Sequence, residues 1–70
     1  MEREEQYKAL LEIVANARLL TALSDEDQVI YDAEKIKSYG VNAATALGYS
    51  EAKFKSDSIT LYSEYLEKHR

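Results

Sequence analysis

The sequence predicts an all-α fold, a small bundle of three long helices and one short helix forming a single domain over residues 1–70. Two observations predict it. Apolar residues recur three and four positions apart along most of the chain, the spacing that gathers them on one helix face. Between those runs stand Ser24, Gly40, Asn42, Gly48 and Ser50, residue types that start or stop helices. No internal repeat, low-complexity segment or linker breaks the pattern, and two glycines in 70 residues leave little room for a hinge.

The first helix is expected over about residues 2–23. Tyr7, Leu10, Leu11, Ile13, Val14, Ala17 and Leu20 share one broad face at 3.6 residues per turn. Glu2, Glu4 and Glu5 suit the positive end of its dipole, and Arg18 lies toward the other end. Leu19 and Leu23 fall off the main face and are candidates for a neighbouring helix or for a dimer contact. The second helix, about 25–39, opens with Ser24 as a hydroxyl cap followed by Asp25, Glu26 and Asp27 in the first turn. Val29, Ile30, Ala33 and Ile36 make its apolar stripe, and Gly40 is expected to end it in a left-handed conformation, with Val41 folding back on Ile36.

Asn42 then caps a short third helix, about 43–47, which Gly48 ends. Ser50 caps the fourth, about 51–68, with Tyr49 before the cap and Phe54 inside it spaced as a hydrophobic staple. Phe54, Ser58, Ile59, Leu61, Tyr62, Tyr65 and Leu66 define its inner side. Lys53, Ser56, Asp57, Thr60, Glu64 and Glu67 face water.

Composition narrows the function. A chain near this size buries only roughly 60% of its unfolded surface, so a deep catalytic cleft is not expected, nor an enzyme or a small-molecule substrate. With no cysteine, and with His69 as the one histidine, neither a thiolate metal site nor a histidine-based dyad can be built, and no cofactor is expected. Asp25-Glu26-Asp27 lacks the glycine and terminal glutamate of a calcium loop. No apolar run reaches about 18 residues, and acids occupy the first positions where a secretory signal carries bases, so a cytoplasmic protein without a membrane partner is expected. So small a core supplies roughly 3–5 kcal/mol, which makes a homodimer a reasonable expectation.

Ala44, Leu47, Gly48, Tyr49, Ser50 and Phe54 together resemble the helix-turn-helix signature of bacterial and phage DNA-binding proteins. Leu-Gly-Tyr-Ser-Glu is similar to turns in AraC-type regulators, and Ala-x-x-Leu-Gly-Tyr-Ser to turns in phage terminase small subunits. The resemblance covers about residues 41–54. It implies a small residue where helices cross, a strained glycine at the turn, and an apolar lock in the second helix. It also implies that the front of the fourth helix enters the major groove, with Lys53, Lys55, Ser56 and Thr60 as DNA contacts and Glu51 beside them. Where the signature carries an apolar residue three positions beyond Phe54, this chain has Asp57, which moves the apolar contact to Ser58 and Leu61.

Charge pulls the other way. Residues 1–40 hold nine acids against five bases, a net of −4, and residues 41–70 hold four of each. DNA affinity comes largely from phosphate contacts, so weak binding, or binding together with a partner, is the expectation for a small regulatory protein of this type. The competing expectation is an acidic interaction module or inhibitor. Its Glu26, Asp27, Asp32 and Glu34 would dock on a basic protein surface, one that itself binds nucleic acid among the candidates.

Overall fold

The computed structural model describes residues 2–69. It is all-helical, with α1 over Arg3–Leu23, α2 over Asp27–Ala46 and α3 over Glu51–Lys68. The helix α1 packs against both others, and its Tyr7 and Val14 join Ala44 of α2 and Phe54 of α3 in the central cluster. Leu10, Leu11, Val41 and Tyr49 close over that cluster.

The start of α3 follows its local chemistry. Ser50 is extended, and its hydroxyl accepts from the Lys53 amide at 3.1 Å. Gly48 precedes it at φ 97°, in the left-handed region where a side chain is costly. The Tyr49 amide donates back to the Ala44 carbonyl at 3.0 Å, which closes the end of α2. Ser50→Ala is expected to lower stability by about 1 kcal/mol, the usual cost of losing such a cap, measured as a reduced urea midpoint with unchanged slope.

Three boundaries and faces differ from expectation. Gly40 does not end a helix, because α2 runs through it to Ala46 and absorbs both Asn42 and the short helix expected at 43–47. Its φ is not positive. Instead it is buried, and a Cβ built on it would overlap Val14 Cγ2 and stand 3.4 Å from Phe54 Cζ. Glycine here makes room for a close approach to α1 and α3, and Val41 packs on the central cluster rather than serving as a helix stop. At the other end, Ser24 accepts from the Glu26 amide at 3.1 Å within the turn, and Glu26 takes the capping position without a side-chain bond, so α2 begins at Asp27 rather than 25.

The third difference is the phase of α1. Leu19, expected off the main face against a neighbouring helix or a dimer partner, is buried within the chain at 8% exposure, whereas Ile13 and Leu20, expected in the core, stand open at 51% and 54%. The apolar arc of α1 spans more than half of its circumference, and tertiary packing chose which part to cover. On α3, Ile59 is likewise exposed while Phe54 and Ser58 are fully buried, and Asp57 is half-buried rather than facing water. Tyr49, Tyr62 and Tyr65 are half-buried, and Tyr31 and Tyr39 are exposed.

Candidate functional site

At the α1–α3 seam Tyr7 stacks on Tyr49 at 3.8 Å between ring centroids and meets Phe54 edge-on at 5.9 Å. The Arg3 guanidinium covers the outer side of Tyr49 at 4.8 Å. Tyr7 thus bridges the two residues expected to form the staple. Its hydroxyl donates to Asp57 Oδ2, fifty positions away, and Lys53 pairs with the same carboxylate at 3.1 Å. These donors hold the Asp57 carboxyl below the usual range, the Tyr7 hydrogen bond first and Lys53 after it. Burial, then the Asp57 bond, pushes the Tyr7 phenol up. No local signal in the sequence could pair residues so far apart.

The sign of the pH effect follows. Asp57 stabilises the fold above its unfolded value near 3.9, and that contribution is lost as pH falls through the lower folded value. Tyr7 stays protonated in the fold, so its contribution holds below about pH 10 and is lost above it. Tyr7→Phe is expected to cost about 1 kcal/mol at neutral pH. It is also expected to make thermal stability fall less steeply than in the wild type from about pH 5 to about pH 2. Equal acid slopes in the two proteins would refute this assignment.

The DNA-contact candidates do not form one basic face. Lys53 and Lys55 lie about 160° apart around α3 at 3.6 residues per turn, one on each flank of the buried stripe. Lys53 is tied to Asp57 toward α1, and Lys55 to Glu51 at 3.2 Å toward α2. Ser56 and Thr60 lie between the flanks on the outward side, both exposed, with the Thr60 hydroxyl donating to the Ser56 carbonyl at 3.1 Å.

The acidic candidates divide as well. Glu26 and Asp27 stand exposed beside Asp25 at the α1–α2 junction, and none of the three forms an ion pair among the described residues. Asp32 is exposed one turn further on and accepts from Gln28 Nε2 at 2.9 Å. Glu34 is turned to Lys37, which pairs with it at 2.5 Å; that bond and charge hold its carboxyl low, with a smaller contribution from Arg18.

Glu34 and Lys37 border a cleft of about 400 Å³ among the three helices, floored by Val14 and Phe54 and flanked by Lys55. Arg18 enters it from α1 with its Nε buried and without a hydrogen-bond partner among the described residues. Sequence patterning gave Arg18 only a helix-end role; its place between helices depends on the crossing of α1 with α2.

Among the described residues no group of three or more histidine, cysteine or acidic side chains is placed to hold a metal ion, and no helix is long and apolar enough to cross a membrane. The chain matches no protein-family model, no curated protein and no solved structure.

Proposed function

We propose that this chain is a non-enzymatic interaction module that docks on a basic protein surface through the α1–α2 junction. One observation carries the reading. Lys53 and Lys55 of α3 are each paired with an acid on opposite flanks, while Asp25, Glu26 and Asp27 stand exposed side by side without an ion pair among the described residues. Such an unpaired acidic corner, with Asp32 beyond it, speeds encounter with a basic partner and sets orientation. Glu34, held by Lys37, contributes less.

A second reading, a helix-turn-helix-like protein binding DNA weakly or with a partner, draws support from the turn. Ala44 and Phe54 are fully buried, Gly48 has φ 97°, and Ser50 caps α3, leaving Ser56 and Thr60 outward. A single titration separates the two. Amide chemical shifts of labelled protein are followed while a lysine-rich peptide, and separately a random DNA duplex, is added at low salt. Shifts centred on residues 25–32 with the peptide, abolished by Asp27→Lys, uphold the first reading. Saturable shifts along Lys53, Ser56 and Thr60 with the duplex replace it with the second.

A further inference from the structure

The outer side of α1 carries a pattern that the interior does not use. Ala9, Ile13, Asn16, Leu20 and Leu23 follow one another at intervals of four, three, four and three residues, and all five are exposed. Alternating threes and fours is the spacing of the seam residues in a two-stranded coiled coil. The seam extends over about 21 Å at 1.5 Å per residue, and no charged residue lies within it. Its largest members, Ile13, Leu20 and Leu23, are 51%, 54% and 63% exposed. Tyr7 and Val14, which face α2 and α3, lie on the opposite side of α1.

We propose that α1 pairs in parallel with α1 of a second copy of this chain, about a twofold axis running along the seam. The occupant follows from polarity and charge. In a parallel, in-register pair every seam residue meets its own counterpart. Ile13, Leu20 and Leu23 then bury apolar surface against themselves, and the one polar member, Asn16, meets the Asn16 amide of the other copy, which can satisfy it. An antiparallel pair sets Asn16 opposite Ile13 or Leu20 and leaves the amide without a partner, at a cost of about 1–3 kcal/mol.

The flanks agree. Parallel pairing lays Glu5 alongside Leu10 of the other copy and brings Glu12 to the edge where Ala17 is covered within its own chain, so these acids do not face each other. Because α1 is already ordered by α2 and α3, pairing does not have to meet the ordering cost that an isolated helix of this length would. The inference holds whether the chain's other partner is a protein or DNA.

Sedimentation equilibrium of the full chain tests the pairing. The wild type is expected to approach twice its 8.0 kDa as concentration rises. Leu20→Asp is expected to raise the dissociation constant by at least about a hundredfold, since it places two carboxylates in the seam, while helicity by circular dichroism is unchanged. A wild type that stays at 8.0 kDa throughout, or a folded Leu20→Asp that associates as well as the wild type, overturns the proposal. If Leu20→Asp loses its helicity, Leu23→Lys, at the exposed last residue of α1, decides by the same criteria.

Orientation is read separately. The chain has no cysteine, so Leu23→Cys introduces a unique thiol. Under mild oxidation the parallel arrangement predicts a disulfide between the two copies that forms at least about tenfold faster than with Ser56→Cys, whose sites lie away from the seam. Equal rates in a protein that still dimerises overturn the parallel arrangement.

Discussion

Phe54→Ala is expected to leave most of the chain unfolded at 25 °C. Phe54 is fully buried, lies edge-on to Tyr7 and sits beneath Gly40, so all three helices meet on its ring. Truncating a buried phenylalanine costs about 3–5 kcal/mol, the transfer of the ring plus the cavity it leaves. A core of this size supplies roughly the same amount in total, so little remains. The check is circular dichroism with a urea titration: the variant should lose most of its helical signal without denaturant. A cooperative transition at the wild-type midpoint would show that another cluster holds the fold.

Gly40→Ala has the next largest expected effect, and its sign opposes helix propensity. In an exposed helix interior the change would stabilise by about 1 kcal/mol. Here the new methyl group would overlap Val14 Cγ2 and press on Phe54, so α2 would have to move away from α1. Such overpacking costs about 1–3 kcal/mol. Combining it with Val14→Ala, which removes the opposing methyl, should recover part of the loss in a double-mutant cycle of thermal unfolding. Additive effects, or a stabilised Gly40→Ala, would show that the two helices do not meet there.

These residues also mark how far the sequence could be read. Gly48 and Ser50 were legible because their roles are local: a positive φ beside a helix end, and a hydroxyl three positions before an amide. Gly40 had the same local appearance and a different role. A glycine that ends a helix and one that lets another helix pass look alike until the neighbour is in place. The same limit governs α1, where Leu19 and Leu20 are adjacent leucines and only packing decided which would be covered.

The site was partly legible. Exposure of Lys53, Lys55, Ser56 and Thr60 was expected, as was exposure of Glu26, Asp27 and Asp32. Their partners were only half visible. The pairs of Lys55 with Glu51 and Lys53 with Asp57 lie four residues apart on one helix, whereas the hold of Tyr7 on Asp57 joins residues from different helices.

By itself the sequence determined that this chain is helical, that a turn at Gly48 and Ser50 precedes the last helix, and that its first forty residues carry the net negative charge. Those properties depend on neighbours within about one helical turn, or on composition alone. The tertiary structure decided that α2 continues through Gly40, that Tyr7 is secured by Asp57, that Arg18 turns into a cleft, and that Ile13 and Leu20 are left outside. Each of these depends on how two helices approach each other, and an apolar arc wider than one partner can cover does not state which part will be buried.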